Sequence, residues 1–191
     1  KVGLVTTAVI TDATPASFAA HADDRYCMKY GDSACGADSV PIIDQMIALD
    51  VDVMLGGGYQ LLPALKDEGT IQDYAISSGY TLVTDKKGLE TASAANLWGI
   101  FADYHMPRPW QSEDGRAAEV VTVGDDGRVV FPEAQKCIAN PAYESMPTLE
   151  MMTEKAIENL SANNDEGFFL MVEGASIDKA AHDADICGSM G

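Results

Sequence analysis

Glu173, Asp178, Lys179 and His182 put two carboxylates, an ammonium and an imidazole within ten positions of one another. The apolar run just before them, Phe168 to Val172 ("FFLMV"), reads as a buried strand that delivers these charges at its tip. Asp178 and His182 lie four apart, so in a helical turn both project from one face and can share a metal ion. Asp12 and Thr14 form a second polar group, behind the apolar run that opens the chain. Carboxylates, a hydroxyl and an imidazole suit Zn²⁺ at the nitrogen-bearing end and Mg²⁺ at the all-oxygen end. The plainer alternative is a surface helix pair, Asp178 with His182, beside a solvated Lys179. Spacing alone does not separate the two.

The elements that must position these groups alternate between strand and helix. "VGLVTTAVI" is a β-branched strand, and "PASFAAHADD" after it reads as a helix with Thr14 as cap and Pro15 in the first turn. "VPIIDQMIALD" reads as helix, "VDVMLGGG" as strand, "IQDYAISSGY" as helix, "TLVT" as strand, and "AANLWGIFAD" holds another strand. In "VVTVGDDGRVVF", Asp126-Gly127 between two β-branched runs signals a hairpin, placed off the main sheet. "PTLEMMTEKAIENLSANN" has helical spacing and leads into the "FFLMV" strand. Repeated strand–helix units with nearly continuous apolar strands imply a parallel sheet with helices on both faces. In such sheets functional groups gather beyond the carboxyl ends of the strands. If the first and last strands are neighbours, Asp12, Thr14 and the Glu173–His182 group converge on one crevice.

Composition narrows the function classes. The net charge of -18 argues against a nucleic-acid surface or an anionic membrane surface, which need clustered Lys and Arg. The acidity is spread along the chain and reads as a solvated surface, compatible with salt or cold adaptation. No apolar run is long enough to cross a membrane. The start at Lys1 and the stop after "CGSMG" do not look like natural termini. Of the four cysteines, Cys27 and Cys35 are close in sequence while Cys137 and Cys187 are far apart. None has C-x-x-C spacing, so three disulfide connectivities or free thiols stay open. Two bridges would imply an oxidising compartment.

"TDATPASFAAHADDR" and "GFFLMVEGASIDKAAH" closely resemble segments of bacterial alkaline phosphatases, and "VDVMLGGG", "GIFADYHMP" and "PTLEMMTEKAIENL" resemble the same family in the same order. The likeness covers nearly the whole chain but only the middle of these longer proteins. It implies a three-layer α/β/α sandwich around a mostly parallel sheet, present as the central part of a single catalytic domain, with a hairpin-bearing insertion near 105–145. It further implies phosphomonoester hydrolysis through a phosphoserine intermediate with two Zn²⁺ and one Mg²⁺, in a periplasmic or secreted homodimer. Thr14 and Glu173 resemble magnesium ligands, and Asp12 the carboxylate that holds magnesium-bound water. Asp178 and His182 resemble two ligands of one zinc, Arg25 the arginine that clamps phosphate, and Lys179 the residue that reaches phosphate through water. With Asp12 and Lys179 together, the third metal site should favour Mg²⁺, Lys179 pairing with Asp12. The resemblance also implies the bridges Cys27–Cys35 and Cys137–Cys187.

The departures matter equally. The family's nucleophilic serine, its neighbouring aspartate zinc ligand, a further magnesium aspartate and the later Asp-His and His zinc ligands have no counterpart here. Asp32-Ser33-Ala34 mimics the nucleophile tripeptide but falls after Arg25, inside the expected small disulfide loop. Gly56 to Gly58 lack the tail of a phosphate loop and read as a tight turn. His21 reads as a structural helix histidine, His105 as a loop residue without a metal-spaced partner, and "EMMTEK" as core packing. The chain alone is therefore expected to be inactive. The competing readings are a non-catalytic module binding divalent metal or phosphate and, more remotely, a metal-dependent phosphodiesterase or sulfatase.

Overall fold

The computed structural model describes residues 1–29, 31–59, 71–93 and 95–190, with the side chains of Ile71 and Gln72 excepted. The chain divides into two compact units, Lys1–Met106 with Ser145–Gly174, and Pro107–Glu144 with Ala175–Gly191.

The first unit is built on a five-stranded sheet of β1 (Val2–Val9), β2 (Val53–Gly57), β3 (Thr81–Val83), β4 (Leu97–Ile100) and β9 (Phe169–Glu173), in the order β3-β4-β2-β1-β9. All four pairings are parallel. The expected two-sided core is present because the apolar strands alternate between faces. Leu4, Met54 and Trp98 pack on one face with Ile42, Ile43 and Met46 of α2 (Ile42–Ala48) and Ala75 of α3 (Ile71–Ser77). Val5, Val53, Leu55 and Leu97 pack on the other with Leu89 of α4 (Lys86–Thr91) and Met152, Ala156 and Leu160 of α5 (Leu149–Ser161). The four-residue spacing of those α5 side chains makes one apolar stripe, and Thr148 caps the helix by accepting from Met151 N at 3.1 Å.

Three local expectations give way to tertiary contacts. The helix expected over "PASFAAHADD" is one turn, α1 (Ala13–Ala16), capped by Asp12 and not by Thr14. The chain leaves it because Gln45 of α2 grips the backbone of His21 from both sides, accepting from its N–H at 2.8 Å and donating to its carbonyl at 2.9 Å. His21 is thus exposed beyond the helix. Gly56 and Gly57 belong to β2 instead of a turn. A Cβ on Gly57 would lie 1.9 Å from the Tyr104 carbonyl oxygen, so glycine is what lets the 102–104 segment press against the strand. The third concerns β9. Among the described residues it is the edge of the sheet, with only Met171 buried and Phe169 and Val172 exposed, so "FFLMV" is not the fully buried strand its composition suggests.

The second unit contains the antiparallel pair β5 (Trp110–Ser112) and β8 (Cys137–Ala139), and the hairpin β6 (Thr122–Val123) and β7 (Val129–Val130). The hairpin lies off the main sheet as expected, turning through Gly127 at φ +75°. After Ala175 this unit carries α6 (Ser176–His182).

Candidate active site

In the first unit the chemistry gathers at the carboxyl ends of β1 and β9, which are neighbours with Thr6 opposite Glu173. Thr6 is fully buried; its hydroxyl donates to Glu173 Oε2 at 2.6 Å and accepts from Ala8 N at 3.0 Å, so it aims the carboxylate. Past the end of β1, Asp12 is almost wholly buried and accepts through Oδ1 from Ala13 N at 2.8 Å and from Arg25 Nη2 at 2.6 Å. The hydrogen bond that Arg25 donates to Asp12, helped by the Asp12 charge, raises the Arg25 pKa against the opposing effect of burial, and the guanidinium is charged at any physiological pH. One edge of the fork is held while the side chain remains 51% exposed. Arg25 is thus oriented and still open to an anion. Thr14 stands exposed in the single turn of α1.

In the second unit α6 presents Asp178 and His182 one turn apart. Asp178 Oδ1 lies 3.6 Å from His182 Nε2, and the side chains are 74% and 79% exposed. Two ligands of one tetrahedral zinc, each about 2.0 to 2.1 Å from the ion, stand roughly 3.4 Å apart. The pair therefore fits one zinc with little movement. Lys179 lies between them in sequence and is half-buried. Beyond α6 the backbone is fastened at three points: Arg108 to both Asp183 and Asp185, Ala118 N to the Ala184 carbonyl, and Cys187 to Cys137.

The Arg108 clamp makes the second unit sensitive to acid. Burial pushes the Asp185 carboxyl up, but hydrogen bonds from Gly188 N and Arg108, with the Arg108 charge, more than offset this and hold it below the usual carboxylate range. A depressed carboxyl contributes stability that is present above its unfolded value, about 3.9, and is lost as pH falls through the folded one. Arg108→Met should cost about 2 kcal/mol near neutrality, the scale of a hydrogen bond to a charged group. That deficit should narrow below about pH 4. Amide exchange of residues 183–190 measured at both pH values checks it, and an equal deficit in acid would count against the clamp.

The structure brings Asp12 together with Arg25 and Asp178 together with His182, and it seats Glu173 on Thr6. Among the described residues no group of three His, Cys, Asp or Glu side chains is arranged to hold a metal ion. Asp12, Thr14 and Glu173 offer only hard oxygen, the donor type that fits Mg²⁺. Ser33 is exposed in a loop closed by Cys27–Cys35, and its neighbour Asp32 accepts from Met28 N and Lys29 N, which makes it a loop-former. His21 lines a cleft with Asp23, Asp24 and Asp38. His105 holds the end of β1, Nδ1 accepting from Val9 N at 3.1 Å. Both disulfides join the expected partners. Sequence reading missed Thr6 and Arg108. A hydroxyl inside a β-branched core run was the available signal for the first, whereas nothing local marks the second.

Comparison with known proteins agrees with this architecture. The family model for alkaline phosphatase matches residues 1–191. Alkaline phosphatase of Escherichia coli K12 is 39% identical over 99% of this chain and 42% of its own length. The crystal structure of Thermus thermophilus alkaline phosphatase superposes with a TM-score of 0.64 at 30% identity, over 96% of this chain and 31% of that one. A variant of the alkaline phosphatase of the Antarctic bacterium TAB5, with Mg bound in its M3 site, superposes with a TM-score of 0.58 at 27% identity, over 95% of this chain and 40% of that one. The chain thus spans less than half the length of the relatives it matches. With a match that runs its whole length and the sheet those relatives share, the chain belongs to the alkaline phosphatase family.

Proposed function

We propose that these residues are the central part of a single catalytic domain, hairpin-bearing insertion included, of a longer enzyme that hydrolyses phosphomonoesters through a phosphoserine intermediate. The observation that carries this reading is Arg25, held by Asp12 at the carboxyl end of β1 yet half exposed, in a chain of this family. Arg25 binds phosphate oxygens with the free edge of its fork, and Lys179 is the residue that reaches phosphate through water. Thr14 and Glu173 would hold Mg²⁺, with Asp12 as the carboxylate that acts on it through water, and Asp178 and His182 would hold one of two Zn²⁺. Bound there, the metals would neutralise charge on the transferring group and supply a water of near-neutral pKa. Asp12 keeps Arg25 oriented, and Thr6 fixes the rotamer of Glu173. The two disulfides favour a periplasmic or secreted setting. The enzyme acts as a homodimer on small phosphate monoesters, with inorganic phosphate as product.

In the full-length protein, Lys179→Ala should mainly weaken inhibition by phosphate. Asp12→His combined with Lys179→His should draw Zn²⁺ into the magnesium site, since nitrogen donors favour it. Metal content by mass spectrometry and phosphate inhibition decide the matter. Unchanged metal in the double variant, together with unchanged phosphate affinity in the alanine variant, would sink the assignment.

A further inference from the structure

Tyr26 and Tyr104 are 61% and 49% exposed, and exposed tyrosines by themselves are ordinary. Their placement is not. The Tyr26 ring lies beneath the Arg25 guanidinium, 5.9 Å from centroid to Cζ, and the Tyr104 carbonyl presses on Gly57 at the same carboxyl end of the sheet where Asp12 holds Arg25. Both are also held by rigid backbone. Tyr26 directly precedes the buried, disulfide-bonded Cys27, and its N–H donates to Asp24 Oδ1 at 2.9 Å.

Tyr104 sits on a segment sewn to the carboxyl ends of β1 and β2. Gly58 N donates to the Ala102 carbonyl and Met106 N to the Thr7 carbonyl, each at 2.9 Å. The Tyr104 carbonyl abuts Gly57, and the His105 ring, fixed by Val9 N, stands edge-on to the Tyr104 ring at 4.2 Å. Aromatic side chains fixed in this way offer apolar faces at little entropic cost.

We propose that Tyr26 and Tyr104 form an aromatic platform beside Arg25 that receives the leaving group of the ester, so that the enzyme selects phosphates of aryl or other planar alcohols over those of small alkyl alcohols. The proposal rests on Arg25 being the phosphate-binding residue. The charged head of the ester meets the guanidinium, and the ring carried by its bridging oxygen lies against the tyrosines. A tyrosine face strengthens binding of an aryl ring by about two- to tenfold through stacking.

Aryl phosphates also have better leaving groups, so turnover alone would confuse binding with chemistry. Non-hydrolysable phosphonates separate them, because methylphosphonate and phenylphosphonate carry the same charged head. For the full-length protein with its metals, phenylphosphonate should inhibit about tenfold more tightly than methylphosphonate, as one to two stacked rings imply. In Tyr26→Ala with Tyr104→Ala this ratio should fall to about two or below, whereas Tyr26→Phe with Tyr104→Phe should keep it, since the ring faces do the work. Should the alanine variant fail to fold, Tyr26→Leu with Tyr104→Leu removes the ring faces while keeping bulk, and a persistent tenfold ratio there would overturn the platform. A ratio near one in the unaltered enzyme, or an undiminished ratio in the alanine variant, would overturn it equally. Equal inhibition by both phosphonates refutes the platform and leaves the phosphatase reading standing. No inhibition by either phosphonate or by inorganic phosphate refutes both.

Discussion

Purified alone, residues 1–191 should hydrolyse phosphomonoesters no faster than the same metals in buffer. The reason lies in what the chain carries and what it does not. In the proposed assignment Arg25 and Lys179 are phosphate-positioning groups, and Asp178 with His182 would supply half the ligands of one zinc. The family's serine and its aspartate neighbour have no counterpart here, and removing the nucleophile from an enzyme that works through a covalent intermediate costs on the order of 10⁶ in kcat. The one local mimic is disarmed by its surroundings: Asp32 spends its carboxylate on the Met28 and Lys29 amides, and Ser33 sits in the small loop closed by Cys27–Cys35. Steady turnover of an aryl phosphate by this chain, abolished by Ser33→Ala, would overturn both the inactive-piece reading and the dismissal of Ser33.

Reducing Cys137–Cys187 should unfold the second unit while leaving the first intact. The first unit has a core on each face of its sheet. Among its described apolar residues its partner buries only Ala175, Ala180 and Cys187, far too little to repay the entropy of ordering the chain. Cross-links must make up the difference. The bridge closes 50 residues and contributes about 4 kcal/mol by loop entropy, against about 2.5 kcal/mol for Cys27–Cys35, which closes 8. Because α6 and its Asp178–His182 pair belong to this unit, zinc held there as proposed should be lost along with protection. Limited proteolysis before and after reduction gives the test, with new cleavage expected within 107–144. An unchanged cleavage pattern in the reduced protein would mean that other contacts hold the unit.

Much of this protein is determined locally and so can be read from the chain. Strand and helix periodicity in "VDVMLGGG" and "PTLEMMTEKAIENL" fixes which residues face the sheet's two cores, because alternation and the four-residue stripe are properties of the backbone itself. The Asp126-Gly127 turn is legible for the same reason, since few residue pairs tolerate that backbone. The spacing of Asp178 and His182 likewise guarantees a shared helical face once the turn forms. The motifs quoted for the family resemblance carried the family, the fold and the pairing of the cysteines.

What local pattern could not decide is set by partners distant in sequence. The "PASFAAHADD" helix stops after one turn because Gln45, 24 residues on, takes the backbone of His21, and long-range hydrogen bonds outweigh a weak propensity. The burial of "FFLMV" depends on its place in the strand order, and at an edge the same residues that would fill a core stand exposed. Glycines at 56 and 57 read as a turn until the Tyr104 carbonyl is found against the strand. Thr6 becomes the support of Glu173 only when β1 and β9, 167 residues apart at that contact, are paired in parallel register. Arg108 acquires its role from carboxylates 75 and 77 residues away. Residue type and spacing thus determine which groups can do chemistry, whereas which of them are held, aimed or left open follows from contacts that exist only once the sheet has closed.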